Sequence, residues 1–377
     1  MAEDILLETS ADPPTGAFLF SSIAFSSLGA WGTLHTQQSN ATGRHALEPG
    51  PCSYPYSLKC LEVEFYELRV EGVLGSSHDL GPAGRIRERA GCVRRTPPYP
   101  RSGRQSHEKA TNGGGIVDKV RSEDGTLIAF ERVGQGPPLI FVVGAFNDRA
   151  KAAPLAEALK DRFAVFTYDR RGRGDSGDTR PYAVKREIED LGALLEEAGG
   201  EASVFGYSSG AILSLRAAAR GLPIGRLALY EPPLTAEGVL VPDAEDLARR
   251  LGALVEEGKR GDAVALYQTE ALGLPAEVVS GLRQDPFWPA LEAMAHTTVY
   301  ETEIVGDGSV PTDEAASVGC PALVLAGGDS FPFMIGGAKA LAGAMPDASA
   351  RVLEGQSHDL NPSVLAPVLE EFFAGAR

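Results

Sequence analysis

Val204-Phe205-Gly206-Tyr207-Ser208-Ser209-Gly210 sets a serine between two glycines at the end of an apolar run. Ala211-Ile212-Leu213-Ser214-Leu215-Arg216-Ala217-Ala218-Ala219-Arg220 follows with helical composition. Strand, sharp turn and helix in that order form a nucleophile elbow, which lifts a serine hydroxyl above the edge of a parallel sheet. The flanking glycines have a steric task, because side chains at Gly206 and Gly210 would meet the strand and helix that the turn brings together. Ser208 is therefore expected to be a nucleophile.

Outward from this turn, strands and helices alternate from Ile116 onward, the pattern of a mostly parallel sheet covered on both faces. Ile116–Arg121 and Thr126–Arg132, split by Asp124-Gly125, predict a hairpin at the sheet edge. Leu139–Val143 is a continuous apolar run and predicts a buried central strand. Further strands are expected at Phe163–Tyr168, Leu227–Tyr230, Ala322–Ala326 and Ala350–Leu353. Residues 235 to about 318 interrupt the alternation. Asp243–Glu257, Asp262–Ala271, Pro275–Leu282 and Pro289–His296 all predict helix, so this insert is expected to lie over the strand C-termini as a lid.

A serine at neutral pH is a weak nucleophile and needs an imidazole to take its proton, with a carboxylate to fix the imidazole's tautomer. Residues 116–377 hold only two histidines, His296 and His358. His358 follows the last expected strand and is the expected base; His296 lies in the insert and is expected to line the pocket. Asp329 follows Ala322–Ala326 through Gly327-Gly328 and is the expected acid, completing the order Ser, Asp, His. Glu231, just past Leu227–Tyr230, is a rival for that role. The oxyanion needs two backbone N–H donors, each worth ~2.7–4 kcal/mol to the transition state. Ser209 at the start of its helix and Ala145 in the turn after Leu139–Val143 are the expected pair.

Composition narrows the alternatives. The 377 residues carry a formal charge of −16, and about −15 of it falls in residues 116–377. Nucleic acid and anionic membrane are unsuited to such a surface. Three of the four cysteines lie before residue 116, so the later part has no internal disulfide and is expected to be cytoplasmic. No His/Cys/carboxylate cluster has metal spacing, and no dinucleotide fingerprint follows a strand, so neither a metal nor another cofactor is expected. Asp169–Gly177 holds three arginines but lacks the ending of a P-loop. It is expected to be structural, with Asp169 pairing an arginine locally. Cys320 is expected to be packed against the core.

Residues 1–115 differ in character. Ala17–Gly32 is apolar but too short to span a bilayer, and its acidic lead-in is unlike a signal peptide. Leu61–Phe65 alternates like one strand, and an arginine-rich run from Arg85 to Arg104 ends in Asn112-Gly113-Gly114-Gly115. The segment is expected to be a disordered or non-native extension, a natural start near Val117 being one explanation.

The elbow, Val143-Gly144-Ala145-Phe146, the D-x-R-G-x-G-x-S run Asp169–Ser176, Gly328-Asp329 and Gly355-Gln356-Ser357-His358 together resemble the α/β-hydrolase fold superfamily. The resemblance covers residues 116–377 and is to small bacterial serine hydrolases with a helical lid. It implies an α/β-hydrolase fold, with a mostly parallel central sheet, helices on both faces and an α-helical lid insert. Many members carry His-Gly where this chain has Val143-Gly144, which sets its oxyanion loop apart. The resemblance implies cleavage of an ester, amide, thioester, carbon–carbon or lactone bond; the mostly apolar pocket expected under a small lid points to a small, mostly apolar ester cleaved through an acyl-enzyme on Ser208. Carbon–carbon hydrolysis or lysis on the same fold, or non-catalytic binding of a small molecule, are the alternatives. Phe146, Trp288, Phe331, Phe333 and Met334, with His296, are the expected pocket walls.

Overall fold

The computed structural model describes residues 108–112 and 115–375, and the readings made for residues 1–107 lie outside them. Nine strands form one sheet in the order β1-β2-β3-β5-β4-β6-β7-β8-β9. They are β1 Glu108–Asn112, β2 Gly115–Arg121, β3 Leu127–Val133, β4 Pro138–Val142, β5 Ala164–Tyr168, β6 Ala202–Tyr207, β7 Ile224–Tyr230, β8 Ala322–Gly327 and β9 Ala348–Leu353. The first three pair antiparallel, and β3 is antiparallel to β5. From β5 through β9 every pairing is parallel. The expected β2–β3 hairpin forms, but β1 pairs outside it, so it is one strand in from the edge and the ordered sheet begins before residue 116.

The middle of the sheet is dry because its strands carry apolar residues on both faces. Leu139, Ile140, Phe141 and Val142 of β4 are all fully buried. On one face lie α1 (Ala153–Leu159) and, from the far end of the chain, Pro362–Ala374, whose Leu155, Leu159, Leu365 and Leu369 pack with Phe141 and Phe205. The other face is covered by α2 (Val184–Glu197), α3 (Ser209–Ala219) and the helix Pro332–Ala344. Between β7 and β8 the chain forms six helices: α4 Ala244–Glu256, α5 Arg260–Glu270, α6 Ala276–Leu282, α7 Trp288–Ala293, α8 Thr297–Val305 and α9 Thr312–Ala316. Leu247, Leu251, Val264, Tyr267, Val279 and Leu291 give this helical segment a core of its own. The chain closes through α10 Pro332–Ala344 and α11 Pro362–Ala374. Among the described residues no helix is long and apolar enough to cross a membrane.

Candidate active site

Ser208 stands between β6 and α3 with φ 56° and ψ −128°, a left-handed conformation that a side-chain-bearing residue adopts only when its surroundings enforce it. Its N–H donates to the Tyr230 carbonyl at 2.9 Å, which ties the turn to the neighbouring strand. Close approach explains the glycines here. A Cβ on Gly210 would overlap the Val142 carbonyl, and one on Gly144 would stand 2.7 Å from the Ser208 Cβ.

His358 is buried, and its Nε2 lies 3.1 Å from the Ser208 Oγ. Its Nδ1 lies 3.1 Å from Oε2 of Glu231. With the proton on Nδ1, the imidazole donates to Glu231 and presents the Nε2 lone pair to the serine hydroxyl. Glu231 follows β7 with φ 54° and is fully buried. The Gly327 N–H donates to its Oε1 at 2.6 Å and the Ser330 hydroxyl to its Oε2. These donors give the buried carboxylate the hydrogen bonds that water would otherwise supply. The loop carrying His358 is held from below: the Tyr207 hydroxyl donates to the His358 carbonyl at 2.9 Å and the Tyr230 hydroxyl to the Ser357 carbonyl at 2.5 Å.

The acid expected from the sequence is thus corrected. Asp329 lies in the turn after β8, where its N–H donates to the Gln356 carbonyl at 2.8 Å and its side chain is exposed. Among the described residues its carboxylate takes no hydrogen bond. Glu231, one strand inward, has the extra methylene and the backbone turn that carry its carboxylate under the imidazole.

Ala145 and Ser209 both border a cavity of about 480 Å³ that also opens on Ser208 and His358. Among the described residues the Ala145 N–H meets no acceptor. The Ser209 N–H is the first of α3, one of the helix's unpaired amides. Of the expected wall residues, Phe146, Phe333 and Met334 line the cavity. Trp288, His296 and Phe331 do not. Trp288 is packed inside the helical segment, donating Nε1 to Glu292 at 2.8 Å. His296 faces Arg260 and Asp178 behind the wall, at 3.3 and 3.8 Å. Phe331 stacks on Phe333, 5.5 Å between ring centres, and packs against the core of the helical segment. The sequence reading missed Tyr267, Gln268 and Glu301, which line the cavity from α5 and α8. Nothing in their spacing along the chain marks a helix residue that faces a cavity from one that packs against a neighbouring helix. No Lys or Arg is among the described residues lining it.

The arginines of Asp169–Ser176 are structural, though their partners are remote. Asp169 pairs with Arg149 rather than with an arginine of its own run, and it accepts the Arg149 and Asp175 N–H groups at 2.8 Å each. Arg171 binds Asp190 through Nε and Nη2 at 2.8 and 2.7 Å. Arg170 makes the same two-pronged contact with Glu187, at 2.7 and 2.9 Å. Burial opposes charge on Arg170, but Glu187 and Glu301 outweigh it and hold the guanidinium protonated well above its ordinary range.

Residues 139–370, more than half of the chain, match the profile of a family described as alpha/beta hydrolase. Among solved structures, the chain is similar to an alpha/beta hydrolase from Sphaerobacter thermophilus, with 52% identity and a TM-score of 0.63, covering 68% of this chain and 99% of that one. It shares its fold with a thermophilic esterase from Thermogutta terrifontis, at 23% identity and a TM-score of 0.52, covering 72% of this chain and 98% of that one. Among curated proteins it is similar to N-formylmaleamate deformylase of Pseudomonas putida, 34% identical over 109 residues, 28% of this chain. That match spans 41% of the deformylase's length, and a match to a hydrolase of Bacillus subtilis spans 35%.

Proposed function

As the chain belongs to the alpha/beta hydrolase family, we propose that it is a serine hydrolase that cleaves a small uncharged ester through an acyl-enzyme on Ser208. The observation that carries the reading is the continuous line of contacts from Ser208 Oγ through His358 to Glu231. In the proposed cycle His358 Nε2 takes the hydroxyl proton as Oγ attacks the substrate carbonyl carbon. The negative charge that develops on the carbonyl oxygen falls to the Ala145 and Ser209 N–H groups. Collapse breaks the bond to the leaving group, which departs with the proton from Nε2 and leaves an acyl ester on Ser208. Water then attacks that ester, again giving its proton to Nε2, and the acid leaves as Ser208 recovers its hydrogen. Glu231 holds the imidazole in place and balances its charge in both halves.

The cavity supports an uncharged substrate. Phe146, Leu240, Leu274, Leu291, Phe333 and Met334 give it apolar walls, and Glu237 and Glu270 stand exposed at its lining. An anionic acyl group would meet carboxylates and no counter-cation there. The test is intact mass after treatment with a fluorophosphonate, on the wild type and on Ser208→Ala. A single adduct on the wild type that Ser208→Ala lacks supports an activated serine. A folded wild type that stays unlabelled would sink the reading. A panel of neutral and carboxylate-bearing esters of equal size then tests the substrate class, with the neutral set expected to have the higher kcat/KM.

A further inference from the structure

Ion pairing does not account for everything that Arg170 and Arg173 do. Arg170 donates Nη1 to the Val143 carbonyl at 3.2 Å, and Arg173 donates Nη1 to the Gly144 carbonyl at 3.0 Å. Both guanidiniums are buried, with 0% and 2% of the residue exposed. Their targets are the two peptide units that lead from β4 into the turn bearing Ala145. The side chains of Val143, Gly144 and Ala145 offer no donor that could hold these carbonyls themselves.

A peptide unit is planar and trans, so the Gly144 C=O and the Ala145 N–H are one rigid body pointing in opposite directions. Fixing the carbonyl on Arg173 therefore aims the N–H of Ala145, a residue that lines the same cavity as Ser208. A charged donor on the oxygen also polarises the amide and makes its N–H a stronger donor at the other end. Arg170 does the same one peptide earlier and keeps the loop from rotating about Gly144. Glu301 of α8 closes the clamp: it accepts from Arg170 Nη1 at 3.0 Å and from Arg173 Nη2, while itself lining the cavity. Arg170 and Arg173 against Glu187 and Glu301 leave the buried set electrically balanced.

We propose that Arg173, backed by Arg170, is a positioning residue that orients and polarises the Gly144–Ala145 peptide as one half of the oxyanion site. The inference rests on the acyl-transfer reading above. It concerns a transition-state contact, so its signature lies in kcat and not in ground-state binding.

The test compares wild type with Arg173→Met and Arg173→Lys on the best neutral ester, alongside inhibition by a trifluoromethyl ketone, whose adduct with serine carries an oxyanion. Arg173→Met is expected to lower kcat by ~10–100-fold at unchanged KM, below the effect of deleting an oxyanion donor outright. Affinity for the ketone should fall in parallel, and Arg173→Lys should recover part of both because an ammonium can still donate to the Gly144 carbonyl. Arg173→Met/Glu301→Gln, which keeps the buried charges balanced, carries the same expectation should the single variant not fold. A folded variant of either kind with kcat within about twofold of wild type, or with the loss confined to KM, overturns the proposal. The two readings fail differently. A wild type without a fluorophosphonate adduct at Ser208 removes the hydrolase reading and this one with it, whereas a labelled wild type with unimpaired Arg173 variants removes only the positioning role.

Discussion

The Tyr230 hydroxyl donates to the Ser357 carbonyl at 2.5 Å, joining the residue before Glu231 to the residue before His358. Glu231 and His358 are thus held together by this tie between their neighbours as well as by the 3.1 Å contact of their own side chains. Tyr230→Phe removes that tie without changing shape. It is expected to cost about 1 kcal/mol in a urea melt and to lower kcat several-fold with little effect on KM. Equal kcat in the two proteins would show that the side-chain contact suffices.

Glu231→Gln is expected to lower kcat by ~10²–10⁴-fold, since an amide can present the wrong partner to Nδ1 and favour the unproductive tautomer. Asp329→Asn should stay within about twofold of wild type, because its side chain is exposed and its carboxylate takes no hydrogen bond among the described residues. Steady-state kinetics on one ester decide between the two carboxylates. The reverse pattern would return the acid to Asp329.

His296 gives a pH dependence of stability. Burial is the main force that holds its pKa below the ordinary 6.5; Asp178 pulls the other way, while Arg260, Arg180 and Arg173 add to the lowering. The folded state therefore binds the proton less readily than the unfolded chain. The contribution is complete above pH 6.5 and drains away as the pH falls below it. Urea melts across that range should show a shallower acid-side loss for His296→Gln than for wild type. Parallel curves would count against the assignment.

Cys320 is partly buried, and burial pushes its thiol up to about 11. Since the thiolate is the reactive form, iodoacetamide at pH 8 should modify Cys320 at least ~10-fold more slowly in the folded protein than in urea. Peptide mapping after timed quenching reads this directly. Rapid labelling in the native state would indicate local opening before β8.

Where chemistry and periodicity agreed, the sequence was readable. The apolar run Leu139–Val143 and the elbow around Ser208 each combine composition with a turn that only a few arrangements satisfy. Strand β1, Glu-Lys-Ala-Thr-Asn, has no apolar alternation and is held by ladder pairing with β2, so it carried no signal. Helix α8 was missed for a different reason. Thr297, Thr298, Tyr300, Glu301, Thr302 and Ile304 are all buried, so it is enclosed on several sides and lacks an amphipathic stripe. Its β-branched residues also disfavour helix locally. The choice between Glu231 and Asp329 depends on side-chain reach at adjacent strand ends, which spacing along the chain does not encode. Trp288 and Phe331 failed as wall residues because large apolar side chains fill a helical core as readily as they face a cavity.

Tyr207 and Tyr230 stand opposite each other in the ladder between β6 and β7, and Ser208 and Glu231 are the first residues past each strand. The proposed nucleophile and acid are consequently mounted just past matched positions of the same pair of strands. The spacing of those two groups is a property of sheet geometry, fixed before the chain enters the helices between β7 and β8. Those helices supply cavity walls such as Tyr267 and Leu291 without setting the distance between Ser208 and Glu231.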